Sequence, residues 1–311
     1  MQRRLFVLGS GLAAAVVATG CGGGGDDHPS RPDIVQTAQN TPDLSILVEA
    51  VTAAGLVDTL KGPGPFTVFA PTNAAFAALL SELGLTKEQL LADRTLLTAV
   101  LTYHVVSSKV ERAQIPLGKA VTTVQGGVFK VDAPNGQLTI TDGRNRTSRI
   151  TATDIQASNG VVHLVDRVLL PANRNIVETA QALPQFSILV EAVVAANLQG
   201  TLSGAGPLTV LAPTDDAFVA LLAELGVSKA ALLADTVLLT KVLTYHVLPG
   251  RVLRADIPIG TPISTVQGQT LQISSSLVIT DQRGRVSNIV VTDVFATNGV
   301  VHAIDKVLLP V

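Results

Sequence analysis

The chain has 311 residues, of which 47% are hydrophobic and 15% charged, and this low charged share argues against a disordered polyelectrolyte. The net charge of -2, an aromatic share of 3% and the absence of Trp argue against a nucleic-acid binder and against a module that stacks on sugars. A single Cys excludes an internal disulfide framework and a cysteine-rich zinc site.

Residues 1–21 are predicted to be an export signal. Arg3 and Arg4 supply the positive start, and the apolar run 5–18 has the length of a signal core but is too short to span a bilayer. The segment 18–21 resembles a bacterial lipobox, in which the cysteine is lipidated on sulfur and becomes the mature N-terminus. We therefore expect Cys21 to carry the membrane anchor. A plain cleaved signal is the alternative, and Sec and twin-arginine export both stay open.

Residues 22–32 begin with four glycines and are predicted to be a flexible tether that reaches at most about 40 Å.

The rest of the chain is an internal sequence repeat of two units. We call residues 33–171 the first copy and residues 172–311 the second copy. Four segments recur, three of them after 142 positions and the last after 139: 45–51, 70–72, 101–105 and 159–163. The second copy therefore lacks three residues, near 132–137.

The length of the repeat predicts two consecutive domains. A period of about 140 residues is long enough for each copy to bury its own core, unlike the short units of a solenoid. The connection 171–175 is short, and we expect it to restrict the angle between the copies. Loss of a few loop residues is the kind of difference expected between duplicated domains.

Helices are predicted in the first part of each copy. In the first copy, Thr41 and Pro42 are suited to begin a helix that ends at Gly55, and its buried face consists of Leu44, Leu47, Val48 and Val51. A short buried strand follows over 65–69, and Thr72 is suited to cap a helix with the apolar face Phe76, Leu79, Leu80 and Leu83.

Two further helices are predicted before the pattern changes. Thr86 and Gln89 form a capping box, which is only half made in the second copy, where Ser228 is followed by Ala231. Asp93 and its counterpart Asp235 are interpreted as solvated or capping carboxylates. The last helix has one apolar face: Leu97, Val100, Leu101 and His104.

Strands are predicted from Val105 onward, over 138–141, 150–153 and 161–170. Asp142-Gly143 and Asn159-Gly160 are turn signals between them. Helices followed by a run of strands predict an α+β fold, with helices on one side of an antiparallel sheet.

Three blocks carry a family resemblance in both copies. Residues 67–76, the pair 103–104 and the block 159–171 resemble the signature segments of the fasciclin (FAS1) domain, in the type found as tandem domains in bacterial surface or secreted lipoproteins. The motif positions, which we interpret as structural, are Thr72, Asn73, Tyr103, His104, Asn159, His163 and Asp166, and in the second copy Thr214, Asp215, Tyr245, His246, Asn298, His302 and Asp305. The resemblance implies helices packed on a β-wedge, a secreted or surface role in cell adhesion or matrix contact, and no common catalytic activity.

The duplicated histidines allow two interpretations. His163 and Asp166 could be metal ligands, but residues three apart in a regular strand point to opposite faces. We therefore favour hydrogen-bonded positions beside the core, with no metal and no cofactor. His104 lies near the end of its predicted helix, where the helix dipole would favour the protonated ring, so a pH-sensitive contact with Tyr103 is a further hypothesis.

Other polar groups do not predict catalysis. The sequence contains no Gly-x-Ser-x-Gly nucleophile elbow, and the glycines of 22–25 follow no strand and precede no Lys, so they are not a phosphate loop. Arginines cluster at one predicted hairpin in each copy: Arg144, Arg146 and Arg149, then Arg283 and Arg285. They could bind an acidic polymer or lipid head groups. We favour a solvated hairpin edge whose charge is neutralised by nearby acids.

These observations predict a non-catalytic, lipid-anchored binding module of the bacterial periplasm or cell surface. Its partner would be an unknown matrix polymer or surface protein, with the membrane contacted through the N-terminal lipid alone, no nucleic acid, and a monomeric chain. Two copies on a short connection would raise avidity for a repeating target. A carrier of a small apolar ligand and an envelope enzyme acting on a polymer are the alternatives.

Overall fold

The computed structural model describes residues 31–311, of which residues 32–311 form one compact unit. The predicted export signal, Cys21 and all but the last two residues of the predicted tether lie outside the described residues. Within the described part of the chain, no helix combines the length and apolarity needed to cross a bilayer.

The first copy begins with three helices, continues with a strand and three more helices, and ends with strands. The helices are α1 (Ile34–Gln39), α2 (Ser45–Ala54), α3 (Val57–Leu60), α4 (Asn73–Leu83), α5 (Lys87–Ala92) and α6 (Arg94–Tyr103). The strands are β1 (Phe66–Pro71), β2 (Val105–Val106), β3 (Ala120–Thr122), β4 (Val128–Asp132), β5 (Thr139–Thr141), β6 (Thr147–Ala157) and β7 (Gly160–Val165).

The second copy repeats this order element by element. Its helices are α7 (Ile176–Gln181), α8 (Ser187–Ala195), α9 (Gln199–Ser203), α10 (Asp215–Leu225), α11 (Lys229–Ala234) and α12 (Thr236–Tyr245). Its strands are β8 (Leu208–Pro213), β9 (Val247–Pro249), β10 (Ile263–Ser264), β11 (Thr270–Ile273), β12 (Val278–Thr280), β13 (Val286–Ala296) and β14 (Gly299–Ile304). The missing three residues fall between β11 and β12, as the repeat arithmetic predicts.

Each copy has its own seven-stranded sheet, with the order β2-β1-β7-β6-β5-β4-β3 in the first and the same order in the second. The prediction of an α+β fold is confirmed, but the expectation of a purely antiparallel sheet is wrong. β1 and β7 run parallel, with Thr67 opposite Val161. Parallel strands need a long connection between them. Three helices and five strands separate β1 from β7, so β7 can lie beside β1 in the same direction, and no local sequence pattern indicates this pairing.

Side chains that alternate along β1 divide the core of the first copy into two parts. Val68 and Ala70 face the helices and pack in a cluster with Leu97 and Val162. Phe69 points to the opposite face, where it joins the residues of β4–β6 in a second cluster, with the Phe69 and Phe129 rings 5.0 Å apart.

Several predicted helix caps are present. The Thr72 hydroxyl accepts a hydrogen bond from Ala75 N, and Thr86 and Gln89 complete their capping box. Ser228 caps α11 without a reciprocal side chain, so the half-made box is confirmed. Asp93 accepts a hydrogen bond from Leu96 N, and Asp235 caps α12 in the same way.

Several predicted boundaries are wrong. The strand predicted over 150–153 spans Thr147–Ala157. The hydroxyl of Thr41 does not cap a helix but donates to Thr37 O at 2.8 Å, and a short 3-10 turn over Pro42–Leu44 precedes α2. The strand predicted over 161–170 ends at Val165. Asp166 N still donates to Arg149 O, but beyond it the backbone N–H groups donate to side chains: Arg167 N to Ser148 Oγ, Leu169 N to the His104 ring and Leu170 N to the Asp142 carboxylate.

Candidate functional site

The Tyr-His pair lies at the C-terminal end of α6, between helices and sheet. Tyr103 is fully buried, and its hydroxyl donates to Val128 O at 2.6 Å. Burial raises the pKa of this phenol well above its ordinary value. In the second copy the Tyr245 hydroxyl donates to Thr270 O at 2.8 Å, so both tyrosines hold the end of a helix to the neighbouring strand.

His104 is a neutral core residue. Its Nδ1–H donates to Val100 O at 2.7 Å, and its Nε2 accepts from Leu169 N at 2.9 Å, so both ring nitrogens have partners. Burial lowers the pKa of His104 to about 4. The expectation that the helix dipole favours a protonated ring is therefore wrong, because loss of hydration outweighs the dipole at a fully buried site. His246 has the same surroundings and a pKa of about 4.

His163 and Asp166 have separate structural roles. The His163 Nδ1 accepts from Asp154 N at 3.2 Å and its Nε2–H donates to Val110 O at 2.9 Å. The Asp166 carboxylate accepts from Arg149 N at 2.7 Å and from the Ser148 hydroxyl.

The second copy repeats these contacts. His302 bonds Asp293 N and Val252 O, and Asp305 accepts from Asn288 N at 2.7 Å. Burial lowers the pKa of both His163 and His302. Across residues 31–311, no group of three or more His, Cys, Asp or Glu side chains is arranged to hold a metal ion.

The motif asparagines connect the first helices to the sheet. Asn159 Oδ1 accepts from Ile34 N at 3.0 Å, and its Nδ2 donates to Leu60 O and Gly62 O. Asn298 makes the same three contacts, with Ile176, Leu202 and Gly204.

The residue after the capping threonine anchors α2 or α8. Asn73 Oδ1 accepts from Ile46 N at 3.0 Å, and in the second copy Asp215 accepts from Ile188 N at 2.8 Å and from the Ser187 hydroxyl. The hydroxyl of Thr214 caps α10 as Thr72 caps α4. These side chains stabilise the fold by joining the start of one helix to the start of another.

Asp142, which the sequence indicated only as a turn residue, is a buried carboxylate that organises the β5–β6 turn. Asp142 is 1% exposed; its Oδ1 accepts from Arg144 N and Arg146 N at 2.9 Å, and its Oδ2 accepts from Leu170 N at 3.0 Å. Asp281 makes the equivalent contacts in the second copy. An aspartate at the start of this turn in both copies, Asp142 and Asp281, was the sequence feature that could have indicated this role.

The two copies meet at a surface that we call the inter-copy junction. Lys130 Nζ lies 2.8 Å from the Asp293 carboxylate, which is 2% exposed. The Asn145 side chain pairs with the backbone of Phe295, accepting from its N–H at 2.6 Å and donating to its O at 3.1 Å. A small apolar cluster completes the junction: Val128, Leu253, Phe295 and Val300.

The repeat itself carried a signal for this junction. Phe295 and Leu253 of the second copy correspond to Gln156 and Glu111 of the first, where the Gln156 amide donates to the Glu111 carboxylate at 3.2 Å. Apolar residues at positions that are polar in the duplicate mark a surface that is covered in one copy only.

The predicted arginine cluster divides into different roles. Arg146 donates to both carboxylate oxygens of Glu82 at 2.9 Å and to Asp142, and Arg285 pairs with Glu224 in the same way. Nearby acids therefore neutralise these two arginines. Arg149 is exposed, whereas Arg144 is partly buried beside the inter-copy junction.

An apolar cavity lies between helices and sheet in each copy. Each has a volume of about 30 Å³ and is lined almost entirely by aliphatic side chains, with His104 at the wall of one and His246 at the wall of the other. This volume is close to that of one water molecule and far below the roughly 300 Å³ at which small-molecule sites begin.

Comparison of the sequence with known proteins assigns the chain to a family. The sequence model of the fasciclin domain matches residues 42–171 and 184–310, which confirms the resemblance seen in the motifs. Transforming growth factor-beta-induced protein ig-h3 of Sus scrofa is 33% identical over 256 residues, which are 81% of this chain and 35% of that protein. The chain thus spans about a third of that relative.

Two further matches span more of the compared protein. Immunogenic protein MPB70 of Mycobacterium bovis is 31% identical over 170 residues, or 53% of this chain and 82% of that protein. Among solved structures, a FAS1 domain pair from the insect cell adhesion molecule Fasciclin I has a TM-score of 0.42 at 18% identity, covering 86% of this chain and 97% of that one.

Proposed function

The chain belongs to the fasciclin domain family, and from this membership we propose that it is a non-catalytic adhesion module outside the cytoplasm, held to a membrane by a lipid on Cys21. Proteins of this family are adhesion-related extracellular proteins. The two copies, 33–171 and 172–311, act as its two domains, and the partner is a matrix polymer or surface protein.

One observation carries the non-catalytic part of this proposal. The motif histidines, which could act as a general base or a metal ligand, are hydrogen-bonded within the fold. Each of the four has a partner at both ring nitrogens. A general base or metal ligand needs a free nitrogen within reach of its target. The surface, and not the buried polar groups, is therefore the part that recognises a partner.

The alternatives find less support. A carrier of an apolar ligand needs a cavity of several hundred cubic ångströms, whereas the cavities between helices and sheet hold about 30 Å³ each. An envelope enzyme needs a nucleophile or acid–base pair at a cleft, and the Tyr103–His104 pair is fully buried. Neither alternative is favoured by a specific observation.

The lipid anchor is tested by fractionation of cells that express the full chain. We expect the wild type to sediment with membranes and to enter the detergent phase, whereas Cys21→Ser stays in the soluble extracytoplasmic fraction. Ser30→Ala, nine residues along the predicted tether, is the matched control and should behave as the wild type. Membrane association that survives Cys21→Ser would remove the anchor from the proposal.

The adhesion role is tested with beads that carry the purified full-length protein. We expect these beads to bind intact cells or their extracted matrix, and binding should be abolished when the protein on the beads is heat-unfolded. The readout is the number of beads retained after washing. Equal retention of beads with folded and unfolded protein would contradict specific adhesion.

A further inference from the structure

A cleft of about 500 Å³ lies where the two copies join. Its walls are the β5–β6 turn of the first copy, the connection 171–175, the region of α7 and residues 182–185, and the outer side of β13. This volume falls within the range of sites that bind small organic ligands. It is more than ten times larger than either apolar cavity in the domain cores.

The charged side chains that line the cleft are all positive. Arg144 and Arg146 come from the turn and Arg174 from the connection, and within the described part of the chain no carboxylate lines the cleft. The carboxylates of Glu82 and Asp142, which do not line the cleft, pair with Arg146 and neutralise its charge. Within residues 31–311, no carboxylate oxygen lies within 4 Å of the guanidinium of Arg144 or Arg174, so the cleft keeps excess positive charge.

The surroundings of Arg144 disfavour the positive charge of its guanidinium. Its Nε is buried and has no hydrogen-bond partner among residues 31–311. Burial lowers the pKa of the Arg144 guanidinium, and the charges of Arg146 and Arg174 lower it further, against the opposing effect of Asp142 and Glu82. An anion in the cleft would give the guanidinium a partner and offset the repulsion among the three arginines.

The equivalent turn of the second copy does not form such a site. Arg283, the counterpart of Arg144, donates its Nε to Pro310 O at 2.9 Å. Arg285 pairs with Glu224, and Arg174 corresponds to Pro32 in the repeat, which has no charge. The duplication therefore provides a matched control: the same arginine pair, with its first member satisfied by the chain itself.

We infer that the cleft at the inter-copy junction binds a carboxylated or sulfated sugar unit of an acidic polysaccharide. The guanidinium fork suits a carboxylate or sulfate bidentately. Asn173, Gln185 and Thr179 offer hydrogen-bonding groups for hydroxyls, and Leu183 and Val291 offer apolar surface for the ring. The space exceeds that of an inorganic ion, and a recessed cleft is less accessible to a bilayer surface than a protruding patch. This inference rests on the proposed function in one respect, since it names the class of matrix polymer.

The test is calorimetric titration of the purified full-length protein with trigalacturonate at low salt. We expect saturable binding to the wild type, at least 10-fold weaker binding to Arg144→Ala and to Arg174→Ala, and a change below about 2-fold in Arg283→Ala. Arg174 is exposed, so its replacement does not endanger the fold, and the thermal midpoint of each variant is measured alongside. The methyl-esterified trisaccharide, which lacks the charge, should not bind.

Three results would overturn the inference. They are the absence of saturation by trigalacturonate, equal weakening by Arg144→Ala and Arg283→Ala, and tighter binding of inorganic phosphate or of anionic phospholipid vesicles than of trigalacturonate. The last would assign the arginines to a small ion or a lipid surface. None of these results affects bead adhesion or the Cys21→Ser fractionation, so failure of this inference is distinguishable from failure of the proposed function.

Discussion

Burial fixes the charge of His104 and His246. Each imidazole donates from Nδ1 and accepts at Nε2, and the accepting nitrogen is the one that a second proton would occupy. Protonation would therefore place an unhydrated cation in the core and break the bond from Leu169 N or Leu308 N. The price of that step is the reason for a pKa of about 4 at both sites.

This shift predicts acid-sensitive stability. The ordinary value of 6.5 applies to the unfolded chain, so between about pH 6.5 and about pH 4 the unfolded state binds more protons than the folded state. Stability should be unaffected by these groups above pH 6.5 and should fall as the pH drops through this window. Between about pH 7 and about pH 5, each of these two histidines should lower the free energy of unfolding by about 2 kcal/mol. The measurement is urea unfolding of the full chain at each pH.

The control for the acid effect is the double variant His104→Gln, His246→Gln. A glutamine amide can donate and accept at similar positions but does not titrate in this range. We expect the variant to be less stable at neutral pH and to lose clearly less stability on acidification. A slope between pH 7 and pH 5 that is unchanged by the double variant would contradict our assignment of the effect to these residues.

Local signals predicted four helices of the first copy and several of their caps, but they did not predict α1 or α3, and they assigned a cap to Thr41 that it does not form. Thr72, Thr86 and Asp93 cap helices because a short polar side chain precedes an apolar repeat, and that pattern is visible within a few residues. The end of β7 was not visible in this way. Beyond Val165 the chain leaves the sheet, and Leu169 N and Leu170 N donate to the side chains of His104 and Asp142, which are distant in the sequence.

The half-made capping box of α11 predicts a stabilising substitution. Ser228 accepts from Ala231 N at 3.2 Å, but Ala231 has no side chain that can return a bond to Ser228 N. Ala231→Gln should restore the reciprocal contact that Gln89 makes to Thr86 N at 2.8 Å in the first copy. We expect a gain of about 0.5 kcal/mol in the free energy of unfolding, because exposed caps contribute up to about 1 kcal/mol.

The reverse change in the first copy serves as the control. Gln89→Ala should cost a similar amount, since it reduces the box of α5 to the form found in α11. Both variants are compared with the wild type by chemical denaturation at pH 7. If Ala231→Gln destabilises the protein, the reciprocal bond is not what separates the two helices.

At the scale of the whole molecule, the duplication was easier to predict than the contact between the copies. The recurrence of Tyr103-His104 as Tyr245-His246 reveals the repeat in the sequence itself. The inter-copy junction depends on which surface of one copy faces the other, and no local pattern encodes that. Two differences between the copies pointed to it, Phe295 in place of Gln156 and Leu253 in place of Glu111, but neither shows by itself which surface covers the apolar residue.

The contact of Asn145 with Phe295 predicts how the two copies are held together. Asn145 has a φ of 62°, a conformation that glycine adopts without strain, and its counterpart in the second copy is Gly284 with a φ of 73°. Asn145→Gly therefore removes two hydrogen bonds across the junction while preserving the turn. We expect amide hydrogen exchange at Phe295 to accelerate at least 10-fold, because its N–H loses the oxygen 2.6 Å away.

Gly284→Asn is the matched control for the junction. It places an asparagine at the same turn in the second copy, where asparagine tolerates the left-handed conformation. We expect exchange at Phe295 to remain at the wild-type rate and overall stability to change by less than about 0.5 kcal/mol. Lys130 and Asp293 remain paired in both variants, so the copies should stay associated and the effect should be local to β13. Unchanged protection of Phe295 in Asn145→Gly would mean that the two copies do not meet through this contact in solution.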